Sequence, residues 1–204
     1  VDIVLVGDNK ITVTAPYGNR AIHTYNVSTL TFKGNGSLTI DYQVVASNQV
    51  YMHGILMEGE SSSKNNGNLT FDESCTVTVK VYGEVAEKNG SVDAIYMKTD
   101  DIGSGNGNVT VGENATLNID LKCDKDYQTY GIFAKGSIAL NGTVDIKMEY
   151  TGSGSTYDTW RDVNTSSSYT ACSIGKNANV TSVCPGSSGS SLIAFPLVAN
   201  GAEK

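Results

Sequence analysis

The sequence predicts an all-β fold, a right-handed parallel β-helix (solenoid) of about four to five coils with three strands per coil. Two observations predict this fold. Three kinds of strand recur in a fixed order along the chain, and aligning the repeats brings opposite charges into one column. The chain has 204 residues and a hydrophobic content of 39%, which suits one domain with a continuous core.

The first strand of each repeat carries a small residue followed by isoleucine. The motif occurs at Ala21-Ile22-His23, Gly54-Ile55-Leu56, Ala94-Ile95-Tyr96 and Gly131-Ile132-Phe133. A related phrase, Ala171-Cys172-Ser173-Ile174, predicts the same strand in a fifth repeat. The spacing between motifs varies, which indicates that the loops differ in length while the strands do not.

The second and third strands place apolar residues at every other position, which is typical of a strand with one buried face. In the second strand the pairs are Leu30 and Phe32, Leu69 and Phe71, Val109 and Val111, and Ile138 and Leu140. In the third strand the triplets are Leu38, Ile40 and Tyr42, then Val77, Val79 and Val81, then Leu117, Ile119 and Leu121, and then Val144, Ile146 and Met148. Residues 1–13 fit the second and third strands of a preceding coil.

The outward residues of the third strand give an independent test of parallel stacking. Equivalent positions in successive repeats hold Asp41, Lys80, Asp120 and Lys147. Parallel strands about 4.8 Å apart would bring these side chains into a column of alternating charge, in which neighbours attract. An antiparallel sandwich is the alternative, but it does not require three strand types in a fixed order.

The last part of the chain differs in composition from the repeats. We assign residues 1–184 to the β-helix domain and residues 185–204 to a linker and a C-terminal capping segment. The linker is rich in Gly and Ser, and the apolar run 192–198 would cover the strand at the end of the solenoid. Cys172 and Cys184 could form a disulfide.

Charge and hydropathy exclude two classes of partner. The net charge is −7, and arginine occurs only at Arg20 and Arg161, so a nucleic-acid partner is not expected. No apolar run approaches the roughly 20 residues that span a bilayer, so we do not expect a membrane-spanning chain. The chain starts in what reads as the middle of a coil, and we expect that an upstream export signal was removed from a secreted or cell-surface protein.

One candidate binding surface is the outward position of the first strand. His23, Leu56, Tyr96 and Phe133 would stack into a ridge that is apolar and partly aromatic. Such a ridge could contact successive sugar rings or another apolar surface. Alternatively, the long loop that ends each coil folds over the ridge and makes it a secondary core.

A second candidate is the loop predicted between Tyr150 and Thr170. It contains Trp160, the only tryptophan, close to Tyr157 and Asp158. A ring and a carboxylate in an exposed loop could hold a saccharide, or Trp160 could simply attach its own loop to the coil surface.

The sequence shows no assembled catalytic or metal site. His23 and His53 are the only histidines, neither lies in a recognised nucleophile motif, and both are expected at the surface. Acidic pairs at 100–101 and 124–126 could hold Ca²⁺ if several oxygens converged, but short acidic turns usually face water. We therefore expect no catalytic residues, no metal ligands and no cofactor, with calcium as the open exception.

Several phrases resemble those of right-handed parallel β-helix proteins of the pectate-lyase-like superfamily, especially small secreted or surface proteins of gut and cellulose-degrading bacteria. The phrases are Val4-Leu5-Val6-Gly7-Asp8-Asn9, the run 30–40 from Leu30 to Ile40, and the run 108–117 from Asn108 to Leu117. The resemblance implies an extracellular role facing a polymer. It does not imply catalysis, because neither the carboxylate cluster of the lyases nor the paired aspartates of the hydrolases is matched in the first-strand columns.

These observations lead to one main expectation about function and two alternatives. We expect a non-catalytic secreted or cell-surface protein that binds carbohydrate or acts as an adhesin, with a polysaccharide, a surface glycan or a protein as its partner. The first alternative is a structural stalk or scaffold module. The second is a polysaccharide lyase or hydrolase whose acidic residues assemble from loops.

Overall fold

The computed structural model describes residues 1–15, 20–26, 29–46, 51–59, 67–85, 91–99, 107–124, 129–151, 160–165, 172–183 and 197–199. Every regular element in these ranges is a β-strand, and the strands form three sheets. No helix in these ranges has the length and apolar character needed to cross a lipid bilayer.

Sheet A contains seven strands, sheet B six and sheet C five. Sheet A consists of β1 (Asp2–Leu5), β4 (Thr29–Gly34), β7 (Asn68–Phe71), β10 (Val109–Val111), β13 (Ile138–Leu140), β16 (Cys172–Ile174) and β18 (Leu197–Ala199). Sheet B consists of β2 (Asp8–Ala15), β5 (Ser37–Ala46), β8 (Thr76–Val85), β11 (Thr116–Cys123), β14 (Thr143–Tyr150) and β17 (Asn179–Val183). Sheet C consists of β3 (Arg20–Tyr25), β6 (Met52–Gly59), β9 (Val92–Thr99), β12 (Thr129–Ala134) and β15 (Trp160–Thr165).

The chain visits the sheets in the order A, B, C from β1 to β15. Each strand from β1 to β14 pairs in parallel with the strand three elements further along, and the neighbours in all three sheets are parallel. The prediction of an all-β chain with parallel sheets is confirmed, and the antiparallel sandwich does not fit these pairings. The arrangement is compatible with a β-helix of three strands per coil.

The core lies between the three sheets. In the four repeats that follow residue 20, the alternating residues predicted to point inward in sheets A and B are all buried, and they share one hydrophobic cluster with Ile55, Ile95 and Ile132 of sheet C. The phenyl rings of Phe32 and Phe71 stack on neighbouring strands with centroids 5.5 Å apart. Equivalent inward residues therefore meet from one repeat to the next, as a period of two in parallel strands requires.

Tight turns connect sheet A to sheet B. Gly34 has a φ of 105°, a conformation that side chains rarely adopt, and a Cβ atom there would lie 2.5 Å from the carbonyl oxygen of Leu5. In the next repeat the Asp72 carboxylate accepts a hydrogen bond from the backbone N–H of Glu73. Glycine and aspartate thus allow the chain to change sheets within a few residues.

The predicted charge column is present in sheet B. Lys80 is in register with Asp41 on one side and with Asp120 on the other, and Asp120 is in register with Lys147. Asp41 also forms an ion pair with Lys10 of β2 at 2.8 Å. The Lys10 ammonium lowers the pKa of the Asp41 carboxyl, so this charge is favoured in the folded state.

The fifth repeat was predicted wrongly. Ile132 of β12 is in register with Val163 of β15, so the fifth strand of sheet C is Trp160–Thr165. The Cys172 phrase lies instead in sheet A, where β16 pairs with β13. The predicted loop between Tyr150 and Thr170 therefore contains a strand.

At the C-terminal end, β18 pairs in parallel with β16 and ends sheet A. Val198 of this strand is in register with Ser173. The predicted linker 185–191 and the residue Cys184 lie outside the described residues, so the division at residue 184 and the Cys172–Cys184 disulfide stay predictions.

Candidate functional site

The four residues of the proposed ridge are aligned on sheet C. His23 is in register with Leu56, Leu56 with Tyr96, and Tyr96 with Phe133. Each follows the inward isoleucine of its strand, so these side chains lie on the outer side of the sheet. The sequence therefore placed these four residues in one column correctly.

The column is not equally accessible along its length. His23 is exposed and Tyr96 is partly exposed, whereas Leu56 is 0% and Phe133 is 9% exposed. Leu56 and Phe133 are buried without belonging to the main hydrophobic cluster. They form a secondary apolar cluster outside sheet C, and only part of the column is open to a ligand.

Aromatic rings stack on one another in this outer cluster. The Tyr96 ring lies between His53, with centroids 5.0 Å apart, and Phe133, with centroids 4.7 Å apart. Tyr130 packs at an angle against Phe133 with centroids 4.9 Å apart. Because both faces of Tyr96 are covered by neighbouring rings, its edge is what remains for contact with a ligand.

A buried histidine–aspartate pair lies beside these rings. His53 and Asp93 are in register on β6 and β9, and their side chains are 4% and 0% exposed. His53 Nδ1 and Asp93 Oδ2 are 3.0 Å apart, which is ion-pair distance, but the two atoms are not aligned for a hydrogen bond. The other carboxylate oxygen, Oδ1, accepts a hydrogen bond of 2.9 Å from the backbone N–H of Tyr130.

The expectation that His53 is a surface residue was wrong. Burial raises the pKa of Asp93, and the attraction of the nearby His53 imidazole, together with hydrogen bonds from Ser91 and the Tyr130 N–H, opposes this rise without cancelling it. A carboxyl group is thus kept away from water beside an imidazole, which is the kind of environment found at functional sites.

An open cavity of about 240 Å³ lies next to this pair. Its lining residues come from three neighbouring strands and the residues that precede them: Arg20, Tyr51, His53, Leu56, Ser91 and Tyr96. Tyr51 is 57% exposed, so its ring stands in solvent at the cavity. The cavity therefore combines an exposed aromatic ring, hydroxyl groups, an imidazole and a guanidinium group.

His23 takes part in a separate, exposed pair. Its Nε2 atom lies 3.0 Å from Oε2 of Glu58, and its ring packs edge-on near Tyr25. This pair lies at the end of sheet C towards β3, and His23 is absent from the cavity lining.

The outer face of sheet B carries a second cavity of about 290 Å³, whose lining includes Gln43, Tyr82 and Lys122. The polar groups here pair with one another. The Tyr82 hydroxyl donates a 2.7 Å hydrogen bond to Asp120, and the Lys122 ammonium lies 2.7 Å from Glu149. Burial and the bond to Asp120 raise the pKa of Tyr82 to about 12.

The positions of the remaining predicted site residues are described only in part. Trp160 is the first residue of β15, in register with Thr129, whereas Tyr157 and Asp158 lie outside the described residues. The acidic pair 100–101 and residues 125–126 are also outside them. Within the part of the chain that the structure describes, no group of three His, Cys, Asp or Glu side chains is arranged to hold a metal ion.

Sequence reasoning missed the His53–Asp93 pair, although a signal for it exists. The residues that directly precede the small-residue–isoleucine motifs are Arg20, His53, Asp93 and Tyr130, and they are in register on sheet C. An acid and a base at equivalent positions of adjacent repeats indicate a contact between them.

Comparisons of the chain with protein-family models, with curated proteins and with solved structures give no match. The geometry of the cavity and its surroundings is therefore the basis for a functional assignment.

Proposed function

We propose that the chain is a non-catalytic, secreted or cell-surface protein that binds carbohydrate in an adhesin-like role, on a right-handed parallel β-helix of the pectate-lyase-like type. The observation that carries this proposal is the cavity on the outer side of sheet C, where an exposed ring, Tyr51, stands beside the hydrogen-bonding groups of Ser91 and His53. The resemblance of the strand and turn phrases to small extracellular β-helices supports the same role.

Carbohydrates need both kinds of surface that this cavity offers. The C–H groups of a sugar ring pack on an aromatic face, and its hydroxyls require donors and acceptors at fixed positions. The parallel sheets hold the lining residues of neighbouring strands in register, so these groups are fixed relative to each other.

The carboxylates described on sheet C favour binding over catalysis. Asp93 is fully buried against His53, and Glu58 pairs with His23. Glycoside hydrolysis needs two carboxyl groups that flank one bond, and lyases need acids that converge on a cation. Asp93 and Glu58 are each paired with a histidine and not with a second carboxylate, so we propose a protein without a catalytic residue, metal or cofactor.

A glycan array tests the proposal directly. We expect the wild-type protein to bind a subset of glycans, and we expect Tyr96→Ala to lose this binding because the Tyr96 ring supports His53 at the cavity. Tyr82→Phe is the matched control, since it changes a tyrosine on sheet B, away from the cavity, and should bind normally. Thermal unfolding of both variants separates loss of binding from loss of folding.

Two results would contradict the proposal. One is the absence of binding by the wild-type protein to plant, bacterial and animal glycans. The other is the release of unsaturated or reducing ends from acidic or neutral polysaccharides, with or without added Ca²⁺, which would establish a lyase or hydrolase instead.

A stalk or scaffold module is the second candidate, and one observation favours it. Inward residues of the first strands, Ile3, Ile11 and Ile22, are only partly buried, whereas their equivalents in the middle of the sheets are fully buried. A further parallel coil placed against these edges would complete their burial. Electron microscopy of the complete gene product would show such coils, and their absence together with glycan binding would exclude the stalk.

A further inference from the structure

The cavity beside His53 differs from the long platform that a column of aromatic residues suggests. Tyr96 is covered on both faces by His53 and Phe133, and Phe133 is itself buried. Rings whose centroids are 4.7 to 5.0 Å apart leave no space for a sugar between them. A polymer lying along the column would meet ring edges and the buried Leu56, so the column cannot stack successive sugars.

The accessible part is small and lies at one end of the column. The cavity measures about 240 Å³, and its lining stops at Tyr96, without Tyr130 or Phe133. Pockets for drug-sized ligands measure roughly 300–1,000 Å³, so this space suits a smaller group. The exposed Tyr51 ring is the aromatic surface at this end that a ligand can cover.

His53 supplies a directed polar atom. Its Nδ1 atom faces Asp93 at 3.0 Å, so Nε2 is the ring nitrogen that remains for a ligand in the cavity that His53 lines. The nearby carboxylate favours the tautomer with its proton on Nδ1, so neutral His53 accepts a hydrogen bond at Nε2, and protonated His53 donates one there. A hydroxyl group can serve as the partner in either state.

We propose that this cavity binds a single sugar ring at the end of a glycan, with one face of the ring on Tyr51 and a ring hydroxyl on Nε2 of His53. The proposal rests on the proposed carbohydrate-binding function and specifies its ligand as a terminal residue rather than an internal stretch of polymer. Asp93 is a positioning residue in this site, because it fixes the imidazole without reaching the ligand.

Competition with monosaccharides tests the inference. The probes are the methyl pyranosides of glucose, galactose, mannose, N-acetylglucosamine and fucose, added to the protein with a fluorescent glycan from the array. We expect one of them to displace the glycan with a Kd within about tenfold of that of the glycan itself, because the cavity holds only the end residue. Displacement only by longer oligosaccharides would overturn the inference.

Variants separate this site from the fold. Tyr51→Ala removes an exposed ring and should weaken binding about tenfold, whereas Tyr51→Phe keeps the ring and should restore binding. Tyr25→Ala is the matched control, because Tyr25 is a half-exposed tyrosine of the same sheet outside the cavity lining. Equal binding by Tyr51→Ala and the wild type would overturn the inference.

The two proposals fail in different ways. If the wild-type protein binds no glycan on the array, the carbohydrate-binding function is wrong and the end-residue site falls with it. If glycans bind but none of the methyl glycosides competes, only the end-residue site is wrong.

Discussion

His53 Nδ1 and Asp93 Oδ2 lie 3.0 Å apart on adjacent strands of sheet C, in side chains that are almost completely removed from water. The His53 ring stacks on Tyr96 with centroids 5.0 Å apart, so the pair lies beside the aromatic cluster on the outer side of the sheet. Since burying charged groups is expensive unless they are paired, the pair makes the local structure sensitive to the loss of either partner.

Removal of the imidazole should destabilise the protein strongly. His53→Ala leaves Asp93 buried without its basic partner, and we expect the free energy of unfolding in urea to fall by about 3–5 kcal/mol. His23→Ala is the control, because it breaks an exposed pair with Glu58 and should cost less than about 1 kcal/mol. Equal losses in the two variants would contradict the burial of the His53 pair.

The stability of the protein should depend on the ionisation of Asp93. Burial raises its folded-state pKa above the usual 3.8, so the folded state binds this proton more tightly than the unfolded state does. The resulting stabilisation is complete below pH 3.8 and is lost as the pH rises towards the folded-state pKa. The stability of Asp93→Asn relative to that of the wild type should therefore increase as the pH is raised from about 3.5 to about 7.

Urea unfolding of Asp93→Asn and the wild type at these two pH values measures whether the stability difference between them changes in the expected direction. Thr110→Val is a neutral change on sheet A, and its stability difference from the wild type should not vary with pH. A difference between Asp93→Asn and the wild type that moves in the opposite direction would mean that pairing with His53, rather than burial, determines the pKa of Asp93.

Reversal of one charge in the column of sheet B should lower the stability of the protein. Asp120→Lys places a third lysine between Lys80 and Lys147 and removes the acceptor of the Tyr82 hydroxyl. We expect a loss of about 1–2 kcal/mol, part of which disappears at high salt. The double change Asp120→Lys with Lys147→Asp should recover part of this loss, and no recovery would show that the neighbours do not interact.

Tyr82 should ionise later than an ordinary tyrosine. Its pKa is raised to about 12, so we expect a late component in the tyrosinate absorbance on alkaline titration that Tyr82→Phe removes. Because the folded-state pKa lies above the usual 10.0, the neutral hydroxyl stabilises the fold below that pH, and this contribution is lost as the pH rises to about 12. Asp120→Asn should shift the late component towards lower pH, and an unchanged late component in Tyr82→Phe would assign it to another tyrosine.

The sequence predicted sheets A and B well because their inward positions repeat without interruption. Triplets such as Val77, Val79 and Val81 are in register with Leu117, Ile119 and Leu121, and all are buried. Strand β15 was missed because its sequence, WRDVNT, does not alternate apolar and polar residues. Val163 is its one described buried residue. The phrase around Cys172 resembles the small-residue–isoleucine motif, so it was assigned to sheet C, whereas the structure has it in sheet A.

The candidate site was predicted only in part. Register followed from the repeats, so the column from His23 to Phe133 was placed correctly. Burial did not follow, because the cover over Leu56 and the stacking on both faces of Tyr96 depend on side-chain packing that the alternating pattern does not encode. The predicted ridge is therefore not an open surface. It is a closed stack of side chains with one accessible end.

The passage from sheet C to sheet A differs in length from repeat to repeat, while the register of sheet A continues unchanged through Leu69, Val109 and Ile138. Residues 60–67 and 100–108 make this passage in two repeats, and only residues 135–137 make it in the next. The chain can therefore become longer or shorter here at a small entropic cost, whereas a single insertion at the start of β8, before Val77, would turn Val77, Val79 and Val81 towards water. Such proteins can diverge along one side of the molecule while their interior stays the same.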